Sequence, residues 1–190
     1  VVRTSGGGAM GAGRPAGCGG CLSNGWRPMV AGENDGSLQL NIQELATMRG
    51  FNLPICLVVM NNGGYASIRN TQRNYFEGRY VGTGPEAGLW MPDLQELAQA
   101  YHLPFKRISD VAELEQGLAE ALQVPRPMIV EVLLMKDEAL SPKVAAIPQA
   151  DGSMTSMPLE DMSPLLPLAV LEKEMAGNLA QVSRRVRQGE

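Results

Sequence analysis

The chain has 190 residues, 44% of them hydrophobic, and a formal net charge of −4. That length suffices for one domain of ordinary size with a real core. The mild acidity offers no handle for nucleic acid or an anionic membrane, and no apolar stretch approaches the length of a membrane span. The first residues, Val1-Val2-Arg3-Thr4, carry neither an initiator Met nor a signal-peptide pattern, so a cytoplasmic location and a start inside a longer chain are expected. Cys18 and Cys21 form a lone C-x-x-C, and His102 is the only histidine. Without a second ligand pair a zinc site is disfavoured; the two cysteines read as small residues on a helix, and Cys56 as a packing residue in a strand.

In chain order, Val1 to Gly25 is glycine-rich, which suits either a loose terminus or close backbone approach to a ligand. Pro28 to Ala31 is a short candidate strand. Ser37 can cap a helix whose apolar positions Leu38, Ile42, Leu45 and Met48 recur at helical spacing. Gly50 stands where that helix would stop, and Leu53-Pro54 restarts the chain in extended form. Ile55 to Met60 is short, apolar and partly β-branched, the pattern of a buried parallel strand. It runs into Asn61-Asn62-Gly63-Gly64-Tyr65, a polar turn. Ala66 to Arg79 reads as a short helix in which Ile68, Tyr75 and Phe76 punctuate Arg69, Gln72, Arg73 and Arg79; a plain solvated face accounts for these residues as well as a functional one does. Val81 to Met91 reads as a loop whose Leu89 and Trp90 suit a lid or a subunit contact. Asp93 caps a helix with Leu94, Leu97, Ala98 and Tyr101 on its apolar side. Phe105 to Ile108 is a strand, Asp110 opens a helix bearing Leu114, Leu118, Ala121 and Leu122, and Met128 to Leu134 is the last buried strand. Alternating strands and helices predict a three-layer α/β/α sandwich with a mainly parallel sheet over residues 1–136, of which 1–27 are the glycine-rich part. Residues 137–190 carry repeated prolines and read as an extended arm with turns, closed by a terminal helix over Leu168 to Arg187.

The turns at Asp35 and Asn61–Tyr65 flank one helix–strand pair, so both can lie at the carboxyl edge of the sheet, where open α/β sheets bind ligands. Asp35 offers a carboxylate, Asn62 a side-chain carbonyl and Gly64 a main-chain carbonyl. These are hard oxygen ligands suited to Mg²⁺ or Ca²⁺. The N–H groups of Gly36 and Ser37 suit a phosphate. From spacing alone, a buried strand followed by an ordinary polar turn accounts for the same residues.

Asn34-Asp35-Gly36-Ser37 followed by Asn61-Asn62 resembles the Gly-Asp-Gly…Asn-Asn cofactor signature of thiamine-diphosphate-dependent enzymes, and Leu38 to Thr47 resembles the acetolactate synthase branch. The resemblance covers about Ser5 to Leu166 and implies only the diphosphate-binding domain of such an enzyme. It implies thiamine diphosphate and Mg²⁺ as cofactors, with Asp35, Asn62 and the Gly64 carbonyl on the metal, and Gly36 and Ser37 at the diphosphate. Gly8 to Pro15 is similar to the family's Gly-x-Met-Gly-x-Gly-x-Pro segment, which assigns Met10 to propping the cofactor and the Gly8 carbonyl to its aminopyrimidine. The implied reaction is decarboxylation of a 2-keto acid such as pyruvate and carboligation of the remainder, a lyase or transferase chemistry. The activating glutamate is expected outside this chain, on a pyrimidine-binding domain or partner subunit. No catalytic residue is therefore assigned here, the isolated chain is expected to be inactive, and a homodimer or tetramer is expected.

The sequence departs from that pattern ahead of Asp35. Gly13-Arg14-Pro15-Ala16-Gly17-Cys18-Gly19-Gly20 stands where the family has Gly-Leu-Pro-Ala-Ala-Ile-Gly-Ala, and Asn34 replaces the first Gly of Gly-Asp-Gly. Each added glycine costs a helix interior about 1 kcal/mol against Ala. A reading-frame error and a degenerate site both account for such a cluster. The alternative function is accordingly a non-catalytic or degenerate Mg-phosphate binding or assembly module.

Overall fold

The computed structural model describes residues 9–124, 127–136, 138, 141–144, 146–148 and 151–188. Two compact units divide the chain, Val1–Asp137 and Glu138–Glu190. In the first, strands β1 (Met29–Asn34), β2 (Ile55–Asn61), β3 (Phe105–Ile108) and β4 (Met128–Leu133) form one sheet in the order β1-β2-β4-β3. Every neighbouring pair is parallel, with Ala31 opposite Leu57, Leu57 opposite Ile129 and Phe105 opposite Ile129.

Side chains alternate across the sheet and build two cores. Ile55, Leu57, Val59 and Ile129 face one way. On that face lie α1 (Gly13–Ser23) through Cys18 and Cys21, α2 (Asp35–Leu40) through Leu38, α3 (Glu44–Gly50) through Leu45 and Met48, and α5 (Leu94–Ala100) through Leu94 and Ala98. Cys56, Met128 and Val130 face the other way, where α6 (Leu114–Leu122) packs Ala121, Leu114 and Leu118. This is the expected three-layer α/β arrangement. A further helix of the unit, α4 (Ala66–Tyr75), follows the polar turn after β2.

Several local expectations are corrected. The strand expected over Pro28 to Ala31 extends to Asn34, so Asp35 begins directly at its end. Ser37 does not cap a helix: α2 starts at Asp35, and Asn34 stands at its cap position without a side-chain hydrogen bond. The single helix expected through Met48 is broken at Asn41, whose backbone leaves the helical region (φ −137°, ψ 40°). The Asn41 amide instead donates to the Gly11 carbonyl at 3.0 Å, a tertiary bond that outweighs a weak helix preference. Leu38, Leu45 and Met48 are still fully buried, because both helix pieces face the same core.

The glycines of α1 do not prevent the helix. A Cβ on Gly17 would lie 3.2 Å from the Ala31 Cβ, and one on Gly20 3.1 Å from the Met29 Cε. Both glycines thus let the helix backbone lie close against β1, and the packing offsets their intrinsic cost. In the second unit, β5 (Lys143–Val144) pairs with β8 (Met162–Ser163), and β6 (Ala146–Pro148) with β7 (Met154–Ser156), both antiparallel. The arm is therefore folded back on itself rather than extended. Its expected single terminal helix is two, α7 (Leu168–Glu174) and α8 (Gln181–Gln188). Ala176 (φ 47°) and Gly177 (φ 86°) interrupt it in the left-handed region.

Candidate functional site

At the carboxyl end of β1 and β2, Asp35 and the turn Asn61–Gly64 meet. The Gly64 N–H donates to Asp35 Oδ2 at 2.6 Å. Asp35 is 2% exposed. Burial pushes its carboxyl above the ordinary range, and the N–H groups of Gly64, Gly36 and Asn62 pull the other way by favouring the charged form. A buried carboxylate held in this way is stabilised further by a cation at its free oxygen.

That second oxygen, Asp35 Oδ1, has company. The Asn62 carboxamide presents its oxygen 3.3 Å from Asp35 Oδ1 and 3.0 Å from the Gly64 carbonyl oxygen. Turning the amide over would make its nitrogen donate to both, so two arrangements compete: an amide hydrogen-bonded to two oxygens, or three oxygens around a cation. For Mg–O distances of about 2.1 Å, adjacent oxygens of an octahedron lie about 3.0 Å apart. The donor set and its spacing fit a small hard cation. Among the described residues there is no cluster of three His, Cys, Asp or Glu side chains that could hold a metal. A metal here would rest on one carboxylate, one amide and one main-chain carbonyl, which suits Mg²⁺ or Ca²⁺ and not zinc.

Two glycines shape the turn. Gly64 has φ +118°, and a Cβ there would meet the Thr83 carbonyl oxygen at 2.5 Å. Gly36 lies under the ring of Tyr65, where a Cβ would be 2.6 Å from Cε1. Ser37 is half-buried on the first turn of α2. Met10 lies in the turn before α1 with its side chain exposed, and the neighbouring Gly11 (φ +83°) packs against Leu40 and the Ser37 carbonyl. The structure therefore brings Asp35, Gly36, Asn62 and Gly64 together and sets the Met10 segment against α2. Gly8 lies outside the described residues.

Sequence reasoning missed the polar supports of this edge. Glu131 on β4 is 1% exposed and accepts from the Asn61 amide at 2.6 Å. Asn61 Oδ1 in turn accepts from the Gly63 N–H at 3.0 Å. Arg107 pairs with Glu131 and, at 2.8 Å, with Asp93, the cap of α5. Arg14 is also buried. Its N–H donates to Glu33 Oε2 at 3.1 Å, its guanidinium donates to the Leu38 carbonyl at 2.7 Å, and its Nε lies 3.8 Å from the same Glu33 oxygen. Burial raises the Glu33 carboxyl pKa and lowers that of Arg14, and each charge opposes the shift of the other. Arg69, for which a solvated face is one of two readings, is instead buried beside the turn. The available signal was a single charge inside an apolar strand run, as in Met128-Ile129-Val130-Glu131-Val132.

An all-parallel sheet with a buried carboxylate and a glycine turn at its carboxyl edge defines the class, an α/β domain of the kind that binds ligands at that edge. A family profile, thiamine pyrophosphate enzyme, C-terminal TPP binding domain, matches residues 1–132. The chain belongs to the thiamine pyrophosphate enzyme family and carries its acetolactate-synthase-like cofactor-binding domain. It is 33% identical over 143 residues to the acetolactate synthase large subunit of Parasynechococcus marenigrum (strain WH8102), covering 75% of this chain and 23% of that protein. It is likewise 33% identical over 143 residues to the acetolactate synthase of Arthrospira platensis, covering 75% of this chain and 24% of that protein. The chain thus spans about a quarter of the length of these curated relatives. Among solved structures, a thiamine diphosphate-dependent 4-hydroxybenzoylformate decarboxylase from Rhodococcus jostii RHA1 shares the fold, with a TM-score of 0.60 and 24% identity over 68% of this chain and 24% of the other. Among the described residues no helix is long and apolar enough to cross a membrane.

Proposed function

We propose that this chain holds the diphosphate end of thiamine diphosphate through Mg²⁺, as one domain of an acetolactate-synthase-like enzyme acting on a 2-keto acid such as pyruvate. The observation that carries the reading is the meeting of Asp35 Oδ1, the Asn62 carboxamide and the Gly64 carbonyl, the carboxamide lying 3.3 and 3.0 Å from the other two, which puts three possible oxygen ligands in one place once the amide turns its oxygen to a cation. When bound, the cofactor supplies the electron sink that 2-keto acid decarboxylation and carboligation require. This chain's residues do the holding. Asp35 contributes the negative charge on the metal, and its burial keeps competing water away. Gly64 turns its carbonyl inward because its φ of +118° is open to glycine and not to other residues. Gly36 leaves room for the Tyr65 ring beside the metal turn, and Gly36 and Ser37, at the start of α2, would hold the diphosphate. Met10 supports the cofactor from the glycine-rich side.

No residue of this chain takes the activating role. That glutamate comes from a pyrimidine-binding domain or partner subunit, so the assembly is a homodimer or tetramer, cytoplasmic, and the isolated chain does not decarboxylate pyruvate. The test is a calorimetric titration of thiamine diphosphate into the 190-residue chain with Mg²⁺ and with chelator, for wild type and Asp35→Ala. Metal-dependent binding that disappears in Asp35→Ala is expected. Binding that ignores the chelator, or survives in Asp35→Ala, would overturn the assignment and favour a non-catalytic assembly module.

A further inference from the structure

Arg69 is 4% exposed and sits on the first turn of α4, immediately after the metal turn. Its guanidinium gathers four main-chain carbonyls. Nη1 donates to Gly63 at 3.0 Å and to Thr83 at 2.7 Å; Nη2 donates to Asn62 at 2.7 Å and to Lys136 at 2.7 Å. The Thr83 carbonyl also accepts from the Tyr65 N–H at 3.0 Å. One planar cation therefore joins the turn, the loop at Thr83 and the chain leaving β4.

We propose that Arg69 is the positioning residue of the metal turn, setting the orientation of the Asn62 side chain and the Gly64 carbonyl without touching the metal itself. The inference rests on the metal assignment made above. Two of the four acceptors, the carbonyls of Asn62 and Gly63, are consecutive and lie between the two proposed ligands. Pulling both toward Arg69 fixes the two peptide planes after Asn62 and Gly63. With those planes fixed, and Gly63 and Gly64 at φ +72° and +118°, the Gly64 carbonyl oxygen comes to lie 3.0 Å from the Asn62 carboxamide, which in turn reaches Asp35 Oδ1. The Thr83 carbonyl, held by Arg69, forms the wall that a Gly64 Cβ would strike. A fork of N–H donors in one plane is needed for this; the ammonium of lysine is a point charge with three donors and cannot span all four carbonyls. Burying a cation is a costly way to gain stability alone, since an apolar residue of similar volume does as well or better. The use that remains is to specify one geometry.

The experiment compares wild type, Arg69→Lys, Arg69→Met and a control, Leu118→Ala, which removes core volume on the opposite face of the sheet. Mn²⁺ binding by the full chain with thiamine diphosphate present is read from the free-ion electron paramagnetic resonance signal, and folding from circular dichroism and urea denaturation. Arg69→Lys and Arg69→Met are expected to keep the fold and weaken Mn²⁺ about tenfold to a hundredfold, as loss of a residue that orients a ligand does. Leu118→Ala is expected to lose stability and keep its Mn²⁺ affinity. Wild-type-like affinity in both Arg69 variants, or an equal loss in Leu118→Ala, would overturn the proposal. Should Arg69→Met not fold, Arg69→Lys decides; if neither folds, Arg69 is a folding residue and the proposal fails. A wild-type chain that binds no Mn²⁺ would instead remove the metal assignment, and this inference with it.

Discussion

Gly63 and Gly64 are adjacent, both have positive φ, and they differ in one respect that a pair of alanine substitutions reads directly. Around Gly63 (φ +72°) a Cβ would find nothing within 4 Å. At Gly64 (φ +118°) it would meet the Thr83 carbonyl oxygen at 2.5 Å and Leu89 Cδ2 at 3.1 Å. Gly63→Ala therefore incurs only the left-handed backbone cost, about 1–2 kcal/mol. Gly64→Ala incurs backbone strain of about 1–3 kcal/mol and a further ~1–3 kcal/mol of overpacking against a main-chain atom that Arg69 and Tyr65 hold in place. The loss of unfolded-state freedom on replacing glycine is common to both variants and cancels in the comparison. Urea denaturation at neutral pH should thus rank wild type above Gly63→Ala above Gly64→Ala, with the last pair separated by about 1–4 kcal/mol. Equal midpoints and slopes for the two alanine variants would refute the claim that the Thr83 carbonyl closes the space beside Gly64.

Three further outcomes follow from the same packing. Gly19 on α1 faces open space, so Gly19→Ala should raise stability by about 0.5–1 kcal/mol in urea denaturation, with no gain expected for Gly17→Ala against Ala31. Arg14→Leu strands the buried Glu33 and should cost about 3–5 kcal/mol, whereas Arg14→Leu with Glu33→Val should recover much of that loss; strict additivity of the single variants would count against a coupled pair. The Arg107 guanidinium, and then the N–H groups of Glu96 and Gln95, hold the Asp93 carboxyl below the usual carboxylate range. A depressed folded-state pKa gives stability that is present above the unfolded pKa and lost as pH falls through the folded one, so Asp93→Ala should cost about 1 kcal/mol at neutral pH and progressively less in acid, as followed by thermal denaturation across pH.

The parts of the site that lay open to sequence reasoning are the local ones. Ile55 to Met60 is a short apolar run followed by turn residues, and the strand found there, Ile55–Asn61, is buried on both faces over most of its length, as such a run predicts. Asp35, Asn62 and Gly64 fall at ends of neighbouring parallel strands, so their meeting was legible from the strand–helix–strand order. The helix at Ala66–Tyr75 was legible as a helix, but the burial of Arg69 was not: Gln72, Arg73 and Arg79 are equally compatible with a solvated face, and the partners of Arg69 are carbonyls from separate segments of chain that carry no side-chain signature. Ser37 was misread as a cap because β1 runs farther than its apolar residues suggest, which moves the helix start to Asp35. Asn41 broke the expected helix through a bond to Gly11, 30 residues away in the chain, which no periodicity records.

The departures from the family pattern ahead of Asp35 take on a physical meaning in the folded chain. Arg14 stands where an apolar residue is usual, and it is met inside the fold by Glu33, with the Leu38 carbonyl accepting from its guanidinium. Gly17 and Gly20 fall on the side of α1 that touches β1, where Ala31 and Met29 fill the space that larger helix residues would occupy. Asn34 replaces a glycine at a position whose backbone is extended (φ −96°, ψ 156°), so no left-handed conformation is needed and a side chain is tolerated. A scrambled reading frame supplies residues without regard to their neighbours. Here two uncommon glycines have their close contacts and an uncommon asparagine stands where glycine is not required, while the uncommon arginine is only partly satisfied: one guanidinium nitrogen donates to the Leu38 carbonyl, and Nε and Nη1 are buried without a hydrogen-bond partner. The fit between positions 17 and 31 argues for a repacked wall beside the Asp35 turn, and the partly satisfied Arg14 marks where that repacking is least complete.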